Sequence, residues 1–288
     1  MSTPPIQWYP GHIAKAEKAL LEQLKKVDVV IEVRDARIPL ATHHPRIESW
    51  LGSKSRVLVL NRVDMIMPEV RQAWQTWFKA RGETVYFTDA KQGKGVQAVL
   101  RAAQAAGQNM NARRQQRGMK PRPVRAVVIG FPNVGKSALI NRLLKRKIVT
   151  SARRPGVTRQ LRWVRISDEI ELLDAPGIIP LQIEDQAAAL KLAICEDIGE
   201  AAYDNQRVAA AFVDLLKQLE LSRPQCANWK SRYELETDGL TGESYLVMLA
   251  EQQFQGDMER AARQFLNDFR RGDLGKLSLE LPPLVHAD

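Results

Sequence analysis

Short apolar, β-branched runs recur through the first 180 or so residues, each closed by polar or turn-forming positions: VDVVIEVRD (27–35), RVLVLN (56–61), TVYFT (84–88), RAVVIG (125–130) and EIELLDAPG (169–177). Runs of this length and composition predict strands buried on both faces. LRWVRI (161–166) instead alternates apolar with polar positions, as an exposed or edge strand does. Helix-period patterns fill the intervals at 12–26, 68–81, 94–107 and 136–146. Strands alternating with helices predict an α/β fold, a mostly parallel sheet with helices on both faces. NMNARRQQRGMKPRP (109–123) has no apolar periodicity and reads as a basic connector. Beyond about residue 185 the pattern is helical throughout, in QAAALKLAICEDIGEAAY, NQRVAAAFVDLLKQLEL, ESYLVMLAEQQF and DMERAARQFLNDFRRG. Two domains are expected, an α/β domain over 1–182 and a smaller all-α domain over 183–288. LSLELPPLV, near the C-terminus, is expected to add a short extended piece.

Composition sharpens the picture at two points. No apolar run approaches the ~20 residues that cross a bilayer, and MSTPPIQWYPGH lacks the basic start and apolar core of a signal peptide. The two cysteines, Cys195 and Cys226, have no metal or CxxC spacing and read as structural thiols in a reducing compartment, so a cytoplasmic setting without a membrane is expected. The net charge of +10 is localised. Between Asp89 and Asp168 there is no acidic residue, yet 19 of the chain's 43 Lys and Arg fall there, while the rest of the chain is net acidic. Such a stretch has few internal ion-pair partners and attracts a polyanion, and nucleic acid is the expected one.

GFPNVGKS (130–137) fits G-x-x-x-x-G-K-[ST], with a strand before it and a helix-like SALINRLL following. The backbone N–H groups of the turn and the helix start, over Asn133, Val134, Gly135, Lys136, Ser137 and Ala138, are suited to cradle phosphates. Lys136 would reach the terminal phosphates and Ser137 would ligate Mg²⁺. LLDAPG (172–177) is the companion element: Asp174 would hold Mg²⁺ through water, and the Gly177 N–H would sense the terminal phosphate. In RRPGVTRQ (153–160), Thr158 is placed to close on the metal. NRVD (61–64) ends a strand; Asp64 there can accept two hydrogen bonds from the N1 and N2 edge of guanine, which adenine cannot supply. TDAK (88–91) follows the next strand, and the Ala90 N–H could meet guanine O6 while Lys91 packs on the ring. GTP is therefore the expected nucleotide. In most GTPases the phosphate loop comes first and the base-reading elements last. Here the order is reversed, as a circular permutation would produce.

With WYPGHIAKA, DARIP (35–39), NRVD, GFPNVGKSALIN, RPGVT and DAPG in this order, the chain resembles the circularly permuted ribosome-assembly GTPases of the YlqF/RbgA family. The resemblance covers roughly residues 6–180 closely and the helical C-terminus more loosely. It implies a permuted GTPase domain that hydrolyses GTP with Mg²⁺, coupled to late maturation of the large ribosomal subunit. Partners implied are ribosomal RNA and large-subunit precursor particles rather than DNA, met by a monomer whose helical domain helps contact RNA. Arg62 stands where the family has Lys, with its aliphatic stem able to lie against the base, and Asp89 stands where the family has Ser. Asn133 matches a position that helps hold K⁺ in potassium-stimulated relatives.

The position after D-x-x-G, where many GTPases carry a water-orienting glutamine, is Ile178. The resemblance points to His12, of the P-G-H element, as the group that orients water instead; a helix-capping role within an N-terminal clip is the competing reading. Intrinsic turnover is expected to be slow and stimulated by ribosomal particles. Arg34, Asp35 and Arg37 read as a local ion-pair cluster, with an RNA contact by Arg37 as the alternative. An ATP- or GTP-dependent nucleic-acid enzyme unconnected with ribosomes, and an RNA-binding module that uses nucleotide only for stability, are the competing functions.

Overall fold

The computed structural model describes residues 6, 13–144, 162–174, 183–222, 229–235 and 238–283. In chain order these form α1 (Ile13–Leu24), β1 (Val29–Asp35), α2 (Ile47–Leu51), β2 (Ser55–Asn61), α3 (Pro68–Ala80), β3 (Val85–Thr88), α4 (Val96–Gln116), β4 (Val124–Ile129), α5 (Lys136–Leu143), β5 (Arg162–Arg165) and β6 (Ile170–Asp174). The helical region follows as α6 (Gln186–Ile194), α7 (Asn205–Ser222), α8 (Trp229–Tyr233), α9 (Gly242–Phe254) and α10 (Met258–Arg271). The strands make one six-stranded sheet in the order β3-β2-β1-β4-β6-β5. All neighbours are parallel except β5, which runs antiparallel to β6 at the edge. Its alternating sequence reflects that position, since an edge strand is covered less completely.

Side chains alternate across the sheet, and the two faces bury different helices. Val29, Ile31, Val33, Val57, Val59, Ala126, Val128 and Leu172 pack with Val96, Val99 and Ala103 of α4 and with Leu139, Ile140 and Leu143 of α5. On the other face Val30, Val127, Ile129 and Leu173 meet Leu20 and Leu24 of α1 and Ile47, Trp50 and Leu51 of α2. Beside them Leu58 and Leu60 meet Trp74 and Phe78 of α3. Every residue of β1 is buried, including Glu32, Arg34 and Asp35. Buried charges of this kind must be paired, and they are: Arg34 Nε lies 2.6 Å from Glu32 Oε1.

The basic connector expected at 109–123 is largely helix instead, because α4 continues to Gln116. The segment up to Arg117 is rich in Arg and Gln, both good helix formers, and nothing breaks it before Gly118, which ends the turn at φ 70°. Arg113 and Arg114 lie in the last turn, where cations favour the helix dipole. Polar contacts replace the missing apolar stripe. Asn111 exchanges hydrogen bonds with both backbone groups of Arg122 (3.0 and 3.1 Å), and Arg122 forks onto Asp28 at 2.8 and 2.9 Å.

In the helical region the expected run over 186–203 is broken. α6 stops at Ile194, Glu196 turns the chain at φ 65°, and a 3₁₀ turn follows at Glu200–Ala202. α7, α9 and α10 enclose an aromatic cluster in which Phe212 lies 4.8 Å from Phe269 and 5.2 Å from Phe265 between ring centroids. These residues belong to the same continuous hydrophobic core as the α4/α5 face of the sheet. The change of element type near residue 183 is therefore not a break in the core. The tail after α10 is extended, but its partners are loops rather than the sheet. Leu277 N donates to Met65 O (3.1 Å), Leu279 N to Arg37 O (3.0 Å), and the Glu280 carboxylate accepts from Leu40 N (2.7 Å) and Ala41 N (3.2 Å).

Candidate nucleotide-binding site

Parallel pairing puts the C-terminal ends of β1, β2, β3, β4 and β6 along one edge of the sheet. Register aligns Asp35 with Asn61, Asn61 with Thr88, and Val128 with Asp174. β1 and β4 are neighbours whose onward connections leave in opposite directions, β1 toward β2 and β4 toward β6. A crevice at such a switch point is where open α/β sheets bind ligands. The loop 130–137 leaves β4 at that place and runs into the N-terminus of α5.

Local backbone geometry explains the glycines of this loop. Gly130 has φ 152°, and a Cβ there would sit 2.2 Å from Val33 O. Gly135 caps α5 at φ 101°, and its Cβ would meet Asn61 Nδ2 at 2.1 Å. Asn133 is left-handed at φ 57°. The Lys136 ammonium is buried and donates to the carbonyls of Phe131 (2.7 Å) and Gly130 (3.2 Å), inside the concavity of the loop. The Val134 N–H bonds back to Pro132 O at 2.8 Å. Ser137 and Ala138 are half-buried in the first turn of α5, with Ser137 directly after the lysine.

The base-reading elements lie against this loop. Asn61 donates through Nδ2 to Val134 O (2.8 Å), and its Oδ1 accepts from Thr88 Oγ1 and Ala90 N (both 3.0 Å). Ala90 N–H, expected at guanine O6, thus points to Asn61 in this structure. Asp89 is buried and folds its turn: Oδ1 accepts from Gln92 N (2.9 Å), and its backbone bridges to Lys94. Lys91 is exposed, and the guanidinium of Arg142, from α5, is hydrogen-bonded to its carbonyl. Asp64 sits exposed on a 3₁₀ turn at Val63–Met65, and its carboxylate has no ion-pair or hydrogen-bond partner among the described residues. Arg62 is left-handed at φ 65°, and its guanidinium faces the phosphate loop, with NH2 donating to Asn133 O at 2.7 Å.

Nothing in the sequence signals the Asn133–Glu196 contact, the stacking of Arg37 on Phe269, or the burial of Asp197. Asn133 Nδ2 donates to Glu196 O at 2.6 Å, joining the phosphate loop to the turn after α6. Arg37 is fully buried, chelates Asp35 and lies 5.0 Å over the Phe269 ring of α10. The ion-pair reading of this turn therefore holds for Asp35 and Arg37, whereas Arg34 pairs with Glu32 instead, and the burial of Arg37 removes it from any RNA contact. Asp197 is fully buried, and neither carboxylate oxygen has a hydrogen-bond partner among the described residues. Burial first, then the neighbouring Asp35 carboxylate, push its pKa well above the ordinary range against the pull of Arg62, Arg37 and Lys136. An acid inside the apolar stretch AICEDIG gives no sequence signal of this kind. His12, Thr158, Gly177 and Ile178 lie outside the described residues, as does the side chain of Asp174.

A phosphate loop at a sheet switch point after β4, clasped by an NRVD element at the end of β2, one strand beyond β1, is the architecture of a P-loop GTPase whose segments run in permuted order. A family profile described as "50S ribosome-binding GTPase" matches residues 125–232. Ribosome biogenesis GTPase A of Bacillus cereus is 35% identical over 285 residues, covering 96% of this chain and 94% of that one. The Bacillus licheniformis protein of the same name is 40% identical over 231 residues, 80% of each chain. The GNP-bound structure of YlqF from Thermotoga maritima superposes with a TM-score of 0.62 at 24% identity, covering 94% of this chain and all of that one. The chain belongs to the ribosome biogenesis GTPase A family.

The buried Asp197 generates a pH-dependent prediction. A carboxyl whose pKa is raised on folding stabilises the fold most below its unfolded value, and that contribution is lost as pH rises toward the folded value. Asp197→Asn removes the dependence. The variant should melt about 2–4 °C higher than the parent near pH 8, with the gain shrinking toward pH 4, in thermal melts followed by circular dichroism. A gain equal at both pH values would show that the carboxyl does not titrate in this way.

Proposed function

We propose that the chain is a GTP-hydrolysing assembly factor that binds precursors of the large ribosomal subunit and promotes their late maturation. The observation that carries the nucleotide part is the Asn61 clasp, which holds the NRVD element against the phosphate loop. The ribosomal part follows from membership of a family whose named members are ribosome biogenesis GTPases.

In this reading Asp64 takes the guanine edge, with Asn61, Arg62, Asp89, Ala90 and Lys91 shaping the base pocket, and the amides of 133–138 with Lys136 take the phosphates. Ser137 lies in the first turn of α5, and Asp174 ends β6 level with Val128, two residues before the loop. That placement suits a Mg²⁺ ion held by Ser137 and Asp174 and closed over by Thr158; when bound, the ion would neutralise charge on the β- and γ-phosphate oxygens. Gly177 would contact the terminal phosphate. Water then displaces GDP from the γ-phosphoryl group, leaving GDP and phosphate. Ile178 cannot orient that water, so the role falls to His12. The Asn133 amide oxygen is the atom a K⁺ ion would use.

Ribosomal RNA is met through the basic end of α4. Arg113, Arg117 and Lys120 are exposed and have no acidic partner among the described residues, and Arg114 Nε holds the Lys120 carbonyl at 3.2 Å. This end precedes β4 and so lies at the opposite edge of the sheet from the nucleotide. Among the described residues no helix is long and apolar enough to cross a membrane. A cytoplasmic monomer acting on RNA particles rather than DNA completes the proposal.

Base reading is tested with Asp64→Asn. The amide should lose at least about tenfold in GTP affinity and gain affinity for XTP, whose C2 carbonyl accepts where guanine donates. Unchanged GTP binding would rule Asp64 out. In turnover assays, large-subunit particles should raise the GTPase rate of the intact chain, and His12→Ala should lower the stimulated rate by about 10²-fold. No stimulation by particles would end the ribosomal coupling. Neutralising Arg113, Arg114, Arg117 and Lys120 together should flatten the log–log salt slope of RNA binding by about 3; an unchanged slope would move the footprint elsewhere.

A further inference from the structure

The DARIP turn has no role in the chemistry above, yet it stands at the centre of the site. Asp35 ends β1 with both carboxylate oxygens buried. Arg37 grips them four times: its N–H donates to Oδ1 (2.8 Å), Nε is shared between Oδ1 (3.0 Å) and Oδ2 (3.3 Å), and NH2 donates to Oδ2 (2.7 Å). The Asp35 N–H donates to Thr42 Oγ1 at 3.1 Å, so the residue is fixed at both ends. Burial opposes ionisation, but Arg37 and Arg62 hold the carboxyl below its ordinary range. Oδ2 is also 3.5 Å from Nε of Arg62, and NH2 of that same guanidinium donates to Asn133 O at 2.7 Å.

We propose that Asp35 is a positioning residue of the nucleotide site, acting through Arg62 on the phosphate loop. The proposal rests on the nucleotide-site reading given above. A guanidinium is a planar fork with several donors, so one edge can take a carboxylate while another takes a carbonyl. Here the fixed carboxylate draws Arg62 in as an ion pair at 3.5 Å, and Arg62 in turn hydrogen-bonds the carbonyl of Asn133. Arg62 and Asn133 are both non-glycine residues in the left-handed region, at φ 65° and 57°. Such conformations persist where the surroundings over-determine them. The Arg62 bridge supplies that determination at the residue that leads into Gly135, Lys136 and Ser137. Asp197 and Lys136 are the other charged groups close to this cluster. On the far side, Arg37 stacks on Phe269 and its carbonyl accepts from Leu279 N, so the same turn is seated on the helical region. Arg62 thereby acts on the loop through its guanidinium, a role its aliphatic stem cannot fill.

The test uses Arg62→Met, Arg62→Lys and Asp35→Asn in the full chain, with GTP, GDP and ITP affinities from fluorescent-nucleotide competition. Arg62→Met keeps an apolar stem and loses the bridge; it should weaken GTP and GDP about tenfold alike, one charged hydrogen bond's worth. Its preference for GTP over ITP should be unchanged, because the 2-amino group is read by Asp64. Arg62→Lys, which keeps a donor between Asp35 and Asn133, should recover most of the loss. Asp35→Asn should reproduce it, and the double variant with Arg62→Met should be no weaker than either single one, as for two groups in one chain of action. Arg62→Met binding like the parent would overturn the proposal in favour of stem packing. Multiplying losses in the double variant would overturn it too. If Asp35→Asn melts out, Asp35→Glu, which keeps the charge but displaces it from Arg62, takes its place in the single and double comparisons. A parent chain with no preference for GTP over ITP would instead bring down the base-site reading, an outcome separate from these.

Discussion

The clasp made by the Asn61 carboxamide is the interaction on which the nucleotide site depends. One buried side chain donates to the phosphate loop and accepts from two groups of the base loop. The three segments it joins are 27 to 73 residues apart in the chain. Only an amide can do this, since a carboxylate has no donor for Val134 O and a hydroxyl lacks the reach. Removing it would leave a buried carbonyl, a hydroxyl and an amide unpaired, each at a cost of about 1–3 kcal/mol. The clasp is also what makes the permutation tolerable. Covalent order decides which loops are continuous, whereas the distance between base and phosphate pockets is set by strand register and by this one residue.

Around the clasp the balance of charge favours an anion. Arg37, Arg62 and Lys136 converge beneath the loop, facing Asp35 and Asp197, and the second of these carboxyls is pushed toward its neutral form. Buried cations in excess of their counter-ions are costly to the fold on its own. They are well matched to a ligand that brings several negative charges to the N-terminus of a helix. The field that destabilises the polypeptide and the field that would attract a triphosphate are thus the same one.

Much of this arrangement was legible in the sequence, and the reasons differ by level. The strands could be read because central parallel strands are nearly uniform apolar runs, and their flanking motifs mark where each one ends. The extent of α4 could not, because residues 108–116 are held by Asn111, Arg122 and Asp28 rather than by an apolar stripe. The phosphate loop declared itself through glycines that the backbone requires at 130 and 135. The use of Arg62 did not. Its stem and head are both compatible with the motif, and only the position of Asp35, on a different strand, turns the head toward Asn133. Asp197 was silent for a simpler reason: a single acid says nothing about its burial until the turn at Glu196 folds it under the loop.

A change at the phosphate loop can reach the helical region by more than one route. In the permuted chain the segment after β6 leads directly into α6, so the two are covalently adjacent. Covalent adjacency alone would permit a loose tether. What the structure adds is a second, non-covalent connection of short length. Asn133 in the phosphate loop donates to Glu196 O after α6, and Arg270 of α10 donates to the Ile194 and Ala193 carbonyls of α6 from within the same core. A shift of the loop by a fraction of an ångström would break a 2.6 Å hydrogen bond or move the turn at Glu196 with it, since a packed core deforms between discrete arrangements rather than smoothly. The helical region is therefore placed to register the state of the loop through a contact that does not pass through the segment following β6. Coupling by that route demands that the loop be stiff, and the left-handed Asn133, held from one side by Arg62 and from the other by Glu196, supplies the stiffness.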